Sequence, residues 1–448
     1  MHKYAALMND IEQRIQTGAI RPGQQLPSIR ELSESYRCST GTVVRAYHEL
    51  ERRHLVYAIP QSGYYAVQRK IDPGSRSAGT LMDFASAAPD PDVFPYIDFQ
   101  HCINKAIDNY KNDLFVYGIP QGLPSLLKAL SKHLANYQVF ASADRIFIAS
   151  GVQQALSILT LMPFPNGKRT VLLEQPGYPL FNRLLEVLGV PAIGLKRTAE
   201  GIDLDELERL FRDGDIKFFY TMPRFHQPLG TSYPEATKRA IAELAERYDV
   251  YVLEDDYMAD LENDSRADPI YAYGSSRIVY LKSFSKIMFP GLRVGAAVLP
   301  EPLQDTFAQH KKLLDIDSSM LSQAALEIYI QSGMFARRRH QIRDTYSRRL
   351  ARLNRALDAA NDLPDVRHIR VSSGVHTHLS LPDGLRLPTL VDRLRKKQIQ
   401  LEAPASYFLT DFKAMPLLKL GVSRVEEAQI DAGVSAIFAE IRRMTKRS

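Results

Sequence analysis

Cysteine is scarce in this chain. Only Cys38 and Cys102 occur in 448 residues, too few and too distant for a disulfide scaffold or a metal knuckle, so a reducing cytoplasm is the expected setting. Long apolar runs are missing as well. No stretch approaches the roughly 18 residues that span a bilayer, and no membrane partner is expected. The opening residues, Met1-His2-Lys3-Tyr4, lead into a polar amphipathic segment without a signal-peptide core. Internal repeats and low-complexity tracts are absent, which sets aside repeat architectures. His376 and His378 alternate in Val375-His-Thr-His-Leu379 and share one strand face, but nothing completes a ligand set, so no metal is expected.

What is present begins with size. A chain of 448 residues favours two or more domains, and 45% hydrophobic with 24% charged residues is ordinary for a globular protein. The net charge of +6 is unevenly spread: residues 1–70 hold ten Lys/Arg against six Asp/Glu, an excess of four. That excess is a modest pointer to a polyanion partner.

The first 68 residues read as three helices and a hairpin. Tyr4, Leu7, Ile11 and Ile15 recur on one helical face before Gly18. Ser28-Ile-Arg-Glu31 is a capping-box start for a short second helix ending near Tyr36. Ser39 or Thr40 caps a third helix, with Val43, Tyr47 and Leu50 facing inward. Two β-type runs, 55–59 and 64–67, flank Pro60-Gln-Ser-Gly63. This is the outline of a winged helix-turn-helix, and a basic three-helix protein-interaction module is the competing reading. On the DNA reading, Thr40, Thr42 and Arg45 open the groove-reading helix, Arg30 clamps a phosphate, and Gln61, Ser62 and Gly63 lie against the backbone or minor groove. Residues 69–82, rich in Gly, Ser and Pro, read as a flexible linker to a large unit over 83–448.

The strongest chemistry lies in Ser283-Phe-Ser285-Lys286-Ile-Met-Phe-Pro290-Gly291-Leu-Arg293-Val-Gly295, directly after the strand-like run 278–281. A lysine held at a strand end beside two hydroxyls and an arginine suits a Schiff base to a phosphorylated aldehyde. Lys286 supplies the nitrogen, while Ser283, Ser285 and Arg293 hold the dianion. That chemistry points to pyridoxal 5′-phosphate.

Around it, strand-like runs at 145–149, 170–173, 216–220, 250–253, 278–281 and 294–299 alternate with helical stretches, so the expected fold is α/β with a mainly parallel sheet. Groups following such strands should converge beyond their carboxyl ends. Gly151, Val152 and Gln153 open a helix whose N–H groups suit a phosphate, although a lone glycine there is more often structural. Tyr178 offers a flat face to a pyridine ring. Asp255 can pair with a protonated ring nitrogen, and Tyr257 with the 3′-oxygen. For the run Glu254-Asp255-Asp256 a metal site or a solvated turn is the alternative. Residues 337–355 carry eight arginines, read as the solvated basic face of a long helix, with a second DNA contact as the alternative; the stretch 318–360 is expected to connect a large and a small domain.

Two resemblances join these readings. Leu26-Pro-Ser-Ile-Arg-Glu-Leu32, Thr42-Val-Val-Arg-Ala-Tyr47 and Gln61-Ser-Gly-Tyr-Tyr65 resemble the GntR family of bacterial winged-helix repressors. Thr40 stands where that family usually has an arginine. Tyr117-Gly-Ile-Pro-Gln-Gly122, Ser150-Gly-Val-Gln-Gln154, Pro223-Arg-Phe-His-Gln-Pro-Leu-Gly230, Glu254-Asp-Asp-Tyr257 and the lysine motif resemble the fold-type I, class I aminotransferases, whose fold adds a small α+β domain. A GntR-like head on such a body resembles the MocR subfamily of transcription regulators.

The resemblance implies a head-to-tail homodimer in which Tyr117 reaches the neighbouring subunit's phosphate. It implies double-stranded operator DNA as partner, and a small amine or amino acid as effector. Two departures touch chemistry. Gln227 stands for the asparagine that contacts the 3′-oxygen, and Lys419, in Leu418-Lys419-Leu420-Gly421, for the arginine that grips the α-carboxylate. The expectation is a cofactor-dependent regulator rather than an enzyme, with a residual half-reaction conceivable; a working aminotransferase with an accessory head is the rival.

Overall fold

The computed structural model describes residues 3–21, 23–52, 55–59, 62–66, 81–90, 96–264, 267–402 and 404–445. The chain divides into two compact units, Met1–Thr80 and Leu81–Ser448.

In the first unit the helices are Lys3–Gln16, Ile29–Ser35 and Thr40–Arg52, followed by an antiparallel hairpin of β1 (Val56–Ile59) and β2 (Gly63–Ala66). Leu7 and Ile11 from the first helix bury against Val43, Ala46, Tyr47 and Leu50 of the third, with Leu26 and Leu32 closing the core. The capping box forms: the Ser28 N–H donates to Glu31 Oε2 at 2.6 Å, and the Glu31 N–H to Ser28 Oγ at 3.3 Å. Ser39, not Thr40, caps the third helix, accepting from the Thr42 N–H at 3.3 Å. The Tyr47 ring stacks on Tyr64 at 4.1 Å and its hydroxyl donates to the Pro27 carbonyl, which ties that helix to the hairpin.

The second unit opens with β3 (Met82–Asp83), which pairs in parallel with a later strand; residues 81 and 82 therefore belong to the body rather than to a linker. Seven strands build the main sheet: β4 (Ile146–Ala149), β5 (Thr170–Gln175), β6 (Ala192–Lys196), β7 (Ile216–Thr221), β8 (Tyr251–Asp255), β9 (Ile278–Ser283) and β10 (Gly295–Val298). Their order is β4-β10-β9-β8-β7-β5-β6, and only β10 runs against its neighbours. Every residue of β7, β8 and β9 is buried, as apolar runs covered by helices on both faces require. The edge strand β6 escaped the pattern reading because Ala192-Ile-Gly-Leu-Lys196 is short, half-exposed and interrupted by glycine.

The basic helix expected over 337–355 lies within Met334–Ala360, and a separate helix, Met320–Gln331, precedes it across Gly333, which adopts φ 75°. Beyond it, β11 (Arg367–His368), β12 (His376–Ser380) and β14 (Leu417–Gly421) form a small antiparallel sheet in the order β11-β12-β14, and β13 (Ile399–Gln400) is the partner of β3.

Candidate functional site

The carboxyl ends of the parallel strands converge. Gly151, Val152 and Gln153 follow β4, Tyr178 follows β5, Met222 and Gln227 follow β7, Asp255 and Tyr257 end β8, and Ser283, Ser285, Lys286 and Arg293 follow β9; all line one cavity of about 260 Å³. A larger cavity of about 540 Å³, lined by Lys128, Lys132, His133 and Arg339 among others, contains none of them.

Alternation along β8 separates three adjacent acids. Glu254 accepts the N–H groups of Ile270 and Tyr271, both at 2.8 Å. Asp256 pairs with the Arg224 guanidinium and accepts the Tyr280 hydroxyl at 2.8 Å. Only Asp255 turns into the cavity. Its Oδ2 accepts the Tyr220 hydroxyl at 2.8 Å, while Oδ1 is buried without a hydrogen-bond partner. Burial, with Asp256 behind it, raises its pKa to about 7 against the Tyr220 hydrogen bond. A buried acid with one vacant oxygen calls for a protonated partner, and a pyridine nitrogen fits. The three acids diverge, and the described residues hold no group able to ligate a metal.

Lys286 is the matching base. Burial first, then Lys419, lowers its pKa to about 8, so a neutral amine is accessible near physiological pH. Gly151 holds φ 89°, and a Cβ there would meet Arg293 Nη2 at 3.0 Å. The Arg293 side chain donates to the Ser150 carbonyl at 2.5 Å, so guanidinium, turn and helix start share one corner of the cavity. That corner has the donors a phosphate dianion requires. Burial pushes the half-buried Tyr178 hydroxyl up to about 12, leaving it neutral along the cavity wall.

The remaining candidate residues have other surroundings. The Tyr257 hydroxyl donates to the Phe225 carbonyl at 2.6 Å. Tyr117 is outside its own chain's cavity, with 81% of its surface exposed. Lys419 is buried in β14 and its ammonium is paired with Glu402 Oε2 at 2.5 Å, so it is not free. Arg424, an alternative carboxylate grip, is exposed and not among the cavity-lining residues. His376 and His378 do share a face, yet their ring nitrogens meet the carbonyls of His226 at 3.0 Å and Leu229 at 2.8 Å. They brace the loop that carries Gln227. In the head, Arg30, Thr40, Arg45, Ser62 and Gly63 are exposed and Thr42 half-buried, while Gln61 lies outside the described residues. Arg45 sits over the Tyr4 ring at 4.5 Å.

Sequence reasoning missed the polar supports. Glu174 accepts from Arg197, from the Thr221 hydroxyl at 2.7 Å and from the Met222 N–H at 3.0 Å, and Arg197 lies 3.7 Å over the Tyr233 ring. This buried cluster joins the Tyr178 loop to the Gln227 loop. The arginine helix is also less solvated than expected: Arg349 pairs with Asp90 at 3.1 Å and Arg352 with Asp431 at 2.8 Å.

Residues 80–437 match the family described as aminotransferase class I and II, and residues 3–65 match the bacterial regulatory proteins of the gntR family. An HTH-type transcriptional regulator of Bacillus subtilis, YcxD, is 55% identical over 98% of this chain and its own full length. A probable rhizopine catabolism regulatory protein of Rhizobium meliloti, MocR, is 26% identical over 78% of this chain and 75% of its own. The chain belongs to the MocR-type regulators. A GntR head is fused to an aminotransferase class I and II body, a body whose family cofactor is pyridoxal 5′-phosphate. The MocR-type body has the same fold as the kynurenine aminotransferase of Pyrococcus horikoshii, solved in complex with PMP (TM-score 0.75, 25% identity, 82% of this chain and 92% of that one). It is likewise similar to a Thermus thermophilus α-aminoadipate aminotransferase complexed with N-(5′-phosphopyridoxyl)-L-leucine (TM-score 0.74, 23% identity, 82% and 94%). No described helix of this MocR-type chain is long and apolar enough to cross a membrane.

Proposed function

We propose that this chain regulates transcription by binding operator DNA through its head and by sensing a small amine or amino acid at a pyridoxal 5′-phosphate group held on Lys286. The observation that carries the reading is the buried, unpartnered Asp255 Oδ1 facing the same cavity as Lys286 and the Gly151–Arg293 corner. Asp255 would take the ring-nitrogen proton, and Tyr178 would lie against the ring. Ser283, Ser285, Arg293 and the N–H groups of Val152 and Gln153 would hold the phosphate, with Gln227 and Tyr257 along the 3′-oxygen edge. Bound there, the cofactor would supply an electrophilic carbon that holds one primary amine at a time, Lys286 or an outside amine that replaces it.

The Lys286 amine is the chain's own competitor for that carbon, and burial keeps enough of it neutral to compete. Exchange between Lys286 and an outside amine would shift the large and small parts of the body and thereby the spacing of two heads in a head-to-tail homodimer, where Tyr117 serves the neighbouring subunit. Arg30, Thr40, Thr42, Arg45, Gln61, Ser62 and Gly63 would contact a repeated operator, and the cytoplasm is the setting. Against the rival reading, a working aminotransferase, stands the engagement of Lys419 with Glu402.

Visible absorbance and gel shifts test the proposal. Wild type given the cofactor should develop an absorbance band that Lys286→Ala lacks, and its affinity for upstream DNA should change with cofactor or amine. A missing band, or DNA binding indifferent to both, would remove the sensor; rapid steady-state transamination would favour the rival.

A further inference from the structure

The wall of the cavity leads into an ion pair that is not itself part of the lining. From the wall residue Gln227 a chain of polar contacts runs through the Tyr407 hydroxyl to Glu402 and on to Lys419. The two charges are presented unequally. The Lys419 side chain is 2% exposed, whereas that of Glu402 is 32% exposed. The acid is the open member of the pair, and the lysine is neutralised behind it. Glu402 lies outside the lining of the cavity, but its charge is felt by both Lys286 and Tyr178, so it is within electrostatic reach of the reacting end. Nearby, buried His376 has its pKa lowered to about 3, by burial first and then by Lys419, and adds no positive charge.

We infer that Glu402 selects the effector: an amine without a carboxylate beside its nitrogen, whose second polar group is cationic or a hydrogen-bond donor, as in a short diamine. This rests on the cofactor reading above and narrows it. A carboxylate approaching from that side would be repelled by Glu402 and would have to displace it from a lysine that is otherwise sealed from water. An ammonium gains the same carboxylate as partner.

The test titrates full-length, cofactor-loaded protein with 1,4-diaminobutane, L-alanine and L-glutamate, following the visible spectrum. In wild type the diamine should half-saturate at a concentration at least tenfold below either amino acid. Glu402→Gln should erase that preference and improve amino-acid binding, since Lys419 is then released. Because a buried unpaired lysine destabilises this variant, Glu402→Gln with Lys419→Met removes both charges together and should leave diamine and L-alanine within about threefold. Amino acids outcompeting the diamine in wild type, or an unchanged ranking in the double variant, would overturn the inference while leaving the cofactor site standing. Wild type that takes up no cofactor at all would overturn both.

Discussion

The charge state of Asp255 is set by its surroundings rather than by its type. Its pKa of about 7 lies above the ordinary 3.8 because burial and Asp256 disfavour the carboxylate. In the cofactor-free protein its stabilising contribution is therefore full below pH 3.8 and is lost as pH rises through about 7. Asp255→Asn should flatten that part of the profile, raising cofactor-free stability above pH 7 by a few kcal/mol while weakening cofactor uptake at least tenfold. Thermal midpoints from pH 4 to 8, paired with cofactor titrations, check both signs. A variant that lost uptake without gaining cofactor-free stability would contradict the vacant-oxygen account.

At the scale of single elements, the capping box that starts helix Ile29–Ser35 is the clearest sequence-to-structure link in the head. Ser28→Ala removes one half of it and should cost about 1 kcal/mol of head stability. Urea denaturation followed by a probe in the head would show it, and a change well under 0.3 kcal/mol would mean that tertiary contacts alone hold the helix. Elements of this kind were legible because their signals are local. The lysine motif, the strand ends and the capping box each declare themselves within a dozen residues. Strand alternation also separates Asp255 from Glu254 and Asp256, a distinction readable from period two alone. Partnerships across the fold were not legible. Nothing in the sequence ties Glu402 to Lys419, Glu174 to Arg197, or Arg349 to Asp90, since each pair is joined only by chain folding. The arginine helix misled for the same reason: charge density predicted a wet face, and neighbouring carboxylates and carbonyls took several of the side chains instead.

For the whole molecule, the exposed row Phe115, Val116, Tyr117 and Ile119 matters most. Four large side chains left open along one short segment are more than a folded monomer ordinarily leaves uncovered. A second copy of the chain covering them is the arrangement proposed above. Phe115→Asp should shift sedimentation from dimer toward monomer at low micromolar concentration and reduce cofactor retention with it. Unchanged association would separate Tyr117 from the subunit contact.

The segment after helix Glu301–Leu314 fastens two things at once. Asp315 accepts from the Ser150 hydroxyl at 3.0 Å and from the Gln154 side chain at 2.9 Å, while Asp317 accepts the Gly118 N–H directly after Tyr117. Two residues of chain thus join the turn beside Arg293 to the most exposed tyrosine. Any outside grip on Tyr117 bears on the loop that would cradle the phosphate, and by reciprocity a filled cradle stiffens the surface on which that grip acts. On the dimer and cofactor readings proposed above, occupancy of the pocket would then depend on protein concentration as well as on the supply of cofactor.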